Sequence, residues 1–202
     1  VEILNDSGLD AIKAVTVTGA APATSTIANT SIASQTGNIT IAKIANGITN
    51  VTASAGGDII ATDTISWIAG GSFIASGNID ATATYTIYDA TFEGADVTLT
   101  ANNAASAAAA MSNLDITARN NAVLTATGAI ANSTIAAAND ITVTGTIVES
   151  KLTAQNDVEI KEAAFVTNNT VTADGSITLT DTIGNLVGGS YVATDTIEVD
   201  AA

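Results

Sequence analysis

Asp140 and Asp157 are the carboxylates whose spacing could do chemistry, because they occupy the same place in two successive copies of one phrase. Each stands directly before a stretch that alternates apolar and polar residues, beginning at Ile141 and Val158. If these stretches stack as parallel strands, the carboxylates lie about 4.8 Å apart. A retaining glycosidase pair is separated by about 5 to 5.5 Å, and two like charges this close also favour a bound cation such as calcium. Turn Asx residues that hydrogen-bond their own backbone explain the same column without a ligand.

The strands that position this column recur throughout the chain. Alternation of apolar and polar residues has the period of a strand with one buried face, and it begins again every 17 to 26 residues. Two further apolar patches follow within each repeat, so three short strands form each turn. Phe73 and Phe92 fall at equivalent positions and should stack. The predicted starts of the first strand are Ile39, Ile59, Ile79, Val97, Val123, Ile141, Val158, Ile177 and Ile197.

Small and turn-forming residues mark the corner before these strands. Gly, Asn or Asp stands two residues before eight of the nine starts, and these residues tolerate a left-handed backbone. We therefore predict left-handed corners at these positions: Gly37, Gly57, Gly77, Asn121, Asn139, Asn156, Gly175 and Asp195.

The period predicts an all-β fold, a right-handed parallel β-helix or β-solenoid. It would have about ten rungs and a length of roughly 50 Å from the inter-strand spacing. We expect residues 15–202 to form a single domain with a corner insertion around 101–112, which its alanines could make one turn of helix. Residues 1–14 do not fit the repeat and are expected to form a cap or a strand exchanged with a neighbouring subunit.

Composition excludes several classes of function. The net charge of −15 repels nucleic acid and anionic membranes, and no apolar run approaches the length that inserts into a membrane. Neither Cys nor His is present, which removes disulfides, thiol chemistry and the commonest catalytic base. Loops with clustered acids, bases and aromatics are missing, and Trp67 stands alone. We therefore expect no enzyme and no cofactor beyond calcium.

Two kinds of surface feature point to other ligands. Thr-x-Thr pairs such as Thr98/Thr100 and Thr142/Thr144 suggest an ice- or carbohydrate-binding solenoid, although Glu159 and Lys161 interrupt their row. The alternative without a ligand is a solvated face of residues that favour strands. Asn-x-Ser/Thr sequons are candidates for glycan attachment on an exported protein, although a chain this rich in Asn and Thr contains most of them through composition alone. They occur at Asn5, Asn29, Asn38, Asn50, Asn132 and Asn168.

Several phrases resemble the repeats of filamentous-haemagglutinin-type adhesins, which are exported by two-partner secretion. The likeness covers about residues 37 to 202 and is clearest at Gly57-Asp58-Ile59, in residues 138–145 and at Asn169-Thr170-Val171-Thr172-Ala173. It implies an extracellular, elongated structural or adhesive β-helix with no catalytic residues to carry over. A repeat segment of a larger secreted adhesin is the alternative. The first residue is Val1 rather than Met, which favours export with a leader removed.

The ends of a solenoid expose unpaired strands unless something covers them. We therefore expect subunits to stack head to tail into a homopolymeric surface filament, with residues 1–14 of one completing the last rung of the next. A carbohydrate or a cell-surface ligand is the alternative partner. The predicted interface residues are Val1, Ile3, Leu4, Leu9, Ile12, Ile197 and Val199.

Overall fold

The computed structural model describes residues 3–5, 8–19, 25–103, 109–181 and 183–200. These residues form 28 β-strands and no helix. All strand pairs are parallel, and the chain winds into a β-solenoid of about nine turns with three strands in each turn. The predicted fold class is confirmed. No helix in the described ranges has the length and hydropathy needed to cross a membrane.

The first face of the solenoid is a ten-stranded sheet that carries the most regular alternation. Its inward residues are Ile, Val, Leu and Ala, and most of them are buried, whereas the intervening residues lie on the outer surface. Its strands are β3 (Val15–Thr18), β6 (Ile39–Ala42), β8 (Ile59–Thr62), β10 (Ile79–Ala83), β13 (Val97–Ala101), β16 (Ala122–Ala126), β19 (Ile141–Thr144), β22 (Val158–Lys161), β25 (Ile177–Thr180) and β28 (Ile197–Val199).

The second face follows the first in each turn and has the shortest strands. β7 (Gly47–Ala55) and β9 (Trp67–Ala75) are long enough to run from this face around the corner onto the third. The other strands of the second face are β1 (Ile3–Asn5), β4 (Thr26–Ala28), β11 (Thr86–Tyr88), β14 (Met111–Ser112), β17 (Ile130–Ala131), β20 (Ile147–Val148), β23 (Phe165–Thr167) and β26 (Asn185–Val187).

The third face closes each turn. It contains the second halves of β7 and β9, and the rest of its strands are β2 (Gly8–Ala11), β5 (Ser31–Ser34), β12 (Thr91–Gly94), β15 (Asp115–Ala118), β18 (Thr134–Ala137), β21 (Lys151–Ala154), β24 (Thr170–Ala173) and β27 (Ser190–Ala193).

One continuous core runs along the axis between the three faces. Its members are mostly Ile, Val, Leu and Ala, each lying over the equivalent residue of the turn before. Phe73 and Phe92 are the largest buried side chains, and their rings stack with centroids 5.1 Å apart and planes 12° apart. The predicted stack of these two rings is therefore confirmed.

The predicted register was wrong by one residue at β16. Val97 pairs with Ala122, and Ala122 pairs with Ile141, so the inward residues are Ala122 and Leu124. Both are fully buried, whereas Val123 lies on the outer surface. The error arose because three consecutive apolar residues, 122–124, carry no polar residue that would set the phase of the alternation.

The predicted left-handed corners were also misplaced. None of the described residues in the predicted column has a positive φ. The residues with positive φ lie instead at the corner between the second and third faces and at the corner after the first face. Nine turns place one at the former: Asn29, Asn50, Gly70, Asp89, Asn113, Asn132, Glu149, Asn168 and Gly188. The Gly and Asn residues of the predicted column have a different role, which involves hydrogen bonds between successive turns.

The N-terminal segment makes the first turn of the solenoid in this structure. β1 pairs with β4 and β2 pairs with β5 of the same chain, so residues 3–5 and 8–11 continue the repeat where the sequence analysis expects a cap or an exchanged strand. Exchange with another copy stays a prediction. Of the expected insertion at 101–112, residues 104–108 lie outside the described residues, and Met111 already belongs to β14.

Candidate functional site

The predicted acidic column forms a hydrogen-bonded ladder, here named the Asx ladder. Its members are the residues directly before the first-face strands, and in each the side-chain Oδ1 accepts a hydrogen bond from the backbone N–H of the equivalent residue one turn later. The distances run from 2.7 to 3.2 Å. The members are Asn38, Asp58, Asn78, Asp96, Asn121, Asp140 and Asp157.

Glycine in the neighbouring column is explained by this ladder. A Cβ on Gly57 would clash with Oδ1 of Asn38, and one on Gly77 would clash with Oδ1 of Asp58. Where glycine precedes the donor, the ladder bonds measure 2.7 to 2.8 Å. Where a residue with a Cβ precedes it, they measure 3.0 to 3.2 Å. The glycines therefore allow closer approach of the carboxylate or amide to the next turn.

Amide side chains reinforce the acidic members. Nδ2 of Asn156 donates to Oδ1 of Asp140 at 2.7 Å, and Nδ2 of Asn121 donates to Oδ1 of Asp96 at 3.1 Å. Alternation of Asn with Asp along most of the ladder also separates the charges by two turns. Only Asp140 and Asp157 stand on consecutive turns, so they are the one adjacent carboxylate pair of the ladder.

The Asp140 and Asp157 pair borders an open groove of about 460 Å³ on the first face. The groove is also lined by Glu159, Ser176 and Thr178. Oδ1 of Asp140 accepts two hydrogen bonds and Oδ1 of Asp157 accepts one from Ser176 at 2.7 Å. Among the described residues no group of three acids is arranged to hold a metal ion. Both carboxylates thus bond the backbone of the following turn, where the turn interpretation expects a bond to their own backbone. Calcium stays a hypothesis.

A second polar ladder lies inside the solenoid and was missed in the sequence analysis. The N–H of Ser133 donates to Oγ of Ser150 at 3.2 Å, and the N–H of Ser150 donates to Oδ1 of Asn169 at 2.9 Å. Nδ2 of Asn169 donates in turn to the carbonyl of Ile147. These buried groups satisfy backbone donors where the chain turns the corner between the second and third faces. Ser133, Ser150 and Asn169 share one feature: each directly follows a residue with positive φ at this corner.

The six sequons fall into three groups. Asn29, Asn50, Asn132 and Asn168 share one corner, have φ between 48° and 53°, and are exposed. Asn38 is half-buried, and both polar atoms of its amide are bonded within the Asx ladder. The side chain of Asn5 lies outside the described residues. The first four are therefore the accessible candidates for glycan attachment.

The predicted interface residues differ in what surrounds them. Leu9 packs against the core, whereas Ile12 is 69% exposed. Ile197 and Val199, the inward residues of the last first-face strand, are 48% and 45% exposed because no described turn covers them. Val1 lies outside the described residues, and of Ile3 and Leu4 only the backbone is described.

Tyr191 occupies the core position of the last described turn, in line with Val171. Burial raises the pKa of its phenol, and the nearby Asn169 amide lowers it in part. The hydroxyl is shielded from solvent, yet it makes no hydrogen bond of normal geometry. The phenol is therefore neutral over a wider pH range than in the unfolded chain.

The corrected register makes the threonine row on the first face longer than expected. Thr82, Thr100, Thr125 and Thr144 lie opposite one another on four successive strands. The row ends where Lys161 takes the next place and pairs with Glu159 at 3.0 Å. The uninterrupted part is thus only a few turns long.

Aromatic residues on the second face lie on adjacent turns, which the sequence analysis does not predict. Trp67 stands alone in the sequence, but it has Thr86 as its partner on the next strand. Tyr88 of that strand lies opposite Ala69. Tyr85 and Tyr88 are 49% and 37% exposed. The winding of the chain therefore brings three outer aromatic residues onto two adjacent turns.

Fold and site together define a β-solenoid with a hydrogen-bonded Asx ladder along one corner and outer aromatic residues on the second face. No family model, curated protein or solved structure matches the chain. The resemblance to filamentous-haemagglutinin-type repeats therefore has no support beyond the phrases quoted above.

Proposed function

We propose that this chain is a non-catalytic structural element of an extracellular filament or adhesin. The Asx ladder is the observation that carries this proposal. Its carboxylates are the best candidates for catalysis in the sequence. Their Oδ1 atoms accept backbone hydrogen bonds that join one turn to the next. Side chains committed in this way strengthen a rod along its axis.

Elongation by stacking is consistent with the surface of the last described turn. Its inward residues Leu186, Ile197 and Val199 are 42 to 48% exposed, and its strands have unpaired edges. A further parallel turn in the same register would cover both features. We propose that a second copy supplies this turn through its own first turn, a contact that repeats without closing. A continuation of the same polypeptide would cover the surface equally well, so the experiment uses this chain as it stands.

The test compares inward and outward substitutions in the same turn. Val199→Asp places a charge on the stacking surface, whereas Val192→Asp places one on the outer surface, where Val192 is already 55% exposed. Sedimentation velocity and negative-stain electron microscopy of the purified protein should show rods for the parent and Val192→Asp, and monomers for Val199→Asp. Monomers of the parent at every concentration would contradict stacking, although a structural role within a longer chain would survive that result.

A further inference from the structure

Aromatic residues are scarce in this protein and unevenly placed. The chain has three Phe, three Tyr and one Trp. Phe73 and Phe92 are stacked in the core, and Tyr191 occupies a core position at the end. Of the four that remain, only Phe165 stands apart. Trp67, Tyr85 and Tyr88, here named the aromatic patch, share two neighbouring turns of the second face.

Strand pairing fixes the spacing of the patch. Trp67 lies opposite Thr86, and the N–H of Tyr85 donates to the carbonyl of Ser66 at 2.9 Å. Adjacent strands are separated by about 4.8 Å, and Tyr85 and Tyr88 lie three residues apart, about 10 Å along the chain, so the three backbone positions occupy a short stretch of two neighbouring turns.

Small neighbours leave the two tyrosine side chains exposed and the Trp67 side chain partly exposed. Gly47, on the strand before Trp67, has φ +128°, and a Cβ added to it would lie 2.9 Å from both Cδ1 and Cδ2 of the indole. The indole therefore rests against the Gly47 backbone. Tyr88 has Ala69 on one side and Ser112 on the other. Among the described residues, the strand partners of Trp67 and Tyr88 are thus small side chains.

Polar groups border the patch at both corners of the second face. On one side Asp89 accepts a hydrogen bond from Nδ2 of Asn113 at 2.8 Å, and both side chains are exposed. On the other side the Thr64 hydroxyl donates to Oδ1 of Asp63 at 3.1 Å, and these two are exposed as well. Flat aromatic surface between carboxylate, amide and hydroxyl groups matches a ligand with apolar faces and many hydroxyls.

We propose that the aromatic patch binds a neutral polysaccharide, with pyranose rings stacked on Trp67, Tyr85 and Tyr88 and their hydroxyls bonded to the bordering Asp, Asn and Thr side chains. The net charge of −15 disfavours acidic glycans. A protein partner fits less well, because three partly exposed aromatic side chains offer roughly 300 Å² whereas a stable interface buries about 800 Å² on each partner. The inference goes beyond the structural role and does not depend on it.

The only tryptophan in the chain provides the probe. Its fluorescence is titrated with soluble laminarin, xyloglucan, glucomannan, dextran and chitohexaose, and binding is checked by retardation in affinity gels. We expect a saturable change of Trp67 emission with at least one of them. Tyr85→Ala and Tyr88→Ala should each weaken that binding at least fivefold.

Phe165→Ala is the matched control, since Phe165 is 51% exposed on the same face but distant from the patch. It should bind like the parent, and all three variants should keep the parent's far-ultraviolet circular dichroism and its sedimentation behaviour. The proposal is overturned if no polysaccharide of the panel changes the emission, or if Phe165→Ala weakens binding as much as the tyrosine variants do. Either result leaves the stacking test untouched.

Discussion

At the scale of single residues, Gly57 shows how the absence of one carbon atom sets the spacing of the Asx ladder. Any side chain there would meet Oδ1 of Asn38 on the preceding turn. Its backbone needs no left-handed conformation, so the reason for glycine is close approach rather than conformational freedom.

Gly57→Ala should lower the free energy of unfolding by about 1 to 3 kcal/mol, the usual cost of overpacking. Urea unfolding measures the change. Gly8→Ala is the control, because nothing lies within 4 Å of an added Cβ there. The double variant Asn38→Ala, Gly57→Ala should lose less than the sum of the two single variants, because the closest contact of the added Cβ is with the Asn38 side chain. Full additivity would show that the two residues do not interact.

Asp157 separates the value of a ladder hydrogen bond from the effect of charge. Asp157→Ala removes the acceptor of the 2.7 Å bond from Ser176 and should cost about 1 kcal/mol. Asp157→Asn keeps an acceptor and removes a charge next to Asp140, so its stability should equal or exceed that of the parent. Equal losses in the two variants would mean that the charge, and not the hydrogen bond, is what matters.

The same variant tests the calcium hypothesis for Asp140 and Asp157. A ligand that binds only the folded state raises the melting temperature. If the pair binds calcium, the melting temperature of the parent rises with calcium in the millimolar range and falls on chelation, whereas that of Asp157→Asn does not move. An unchanged melting temperature in the parent removes the hypothesis.

Tyr191 should make stability sensitive to alkaline pH. Burial raises the pKa of its phenol in the folded protein above the unfolded value of about 10, so its contribution is fully present below that pH. The contribution is lost as the pH rises through the folded-state pKa. Unfolding free energies measured from about pH 9 to about pH 12 should fall less in Tyr191→Phe than in the parent. The same slope in both proteins would show that other groups cause the loss.

At the scale of elements, β16 shows where an alternating pattern fails to specify the register. Three apolar residues in a row, 122–124, fit either phase, and only pairing with β13 and β19 places Leu124 in the core. The neighbouring strands settle the matter because a slip of one residue would expose Leu124 and bury Thr125 without a partner.

Leu124→Ala should therefore cost about 2 to 5 kcal/mol, as expected for a fully buried leucine, whereas Val123→Ala should stay within about 1 kcal/mol. Chemical denaturation of the two variants measures both. Val123 is the natural control, since it is the adjacent residue of the same strand on the opposite face. The reverse order would restore the register first inferred from sequence.

At the scale of the whole molecule, the turns behave as nearly interchangeable units because most contacts join adjacent turns. The Arg119 side chain is an exception, since it donates to the carbonyls of Ala75 and Ser76 two turns earlier. The turn that starts at Ile141 ends at Asp157, and Val158 begins the next turn in direct register with Ile141. Removal of residues 141–157 joins Asp140 to Val158, which restores the local sequence Asn-Asp-Val found at 156–158.

We expect that deletion variant to fold into a solenoid one turn shorter, with the parent's circular dichroism spectrum and a melting temperature close to it. The control deletes residues 141–156 only, which leaves one extra residue before the strand and turns its side chains to the wrong face. It should melt at a clearly lower temperature and be more readily cleaved by protease. Similar behaviour of the two deletions would show that the register is not fixed by the corner.

The sequence by itself determined the solenoid, its period, three strands in each turn and the stack of Phe73 on Phe92. These follow from local alternation and from its recurrence, both of which are visible along the chain. The tertiary structure decided three things: which corner is left-handed, what the Asp column bonds to, and that Trp67 has aromatic neighbours. Each depends on contacts between residues about 20 positions apart, whose partners are fixed only when successive turns lie on one another. A close approach such as that of Gly57 to Asn38 and a left-handed turn both favour glycine, so the sequence alone does not distinguish them.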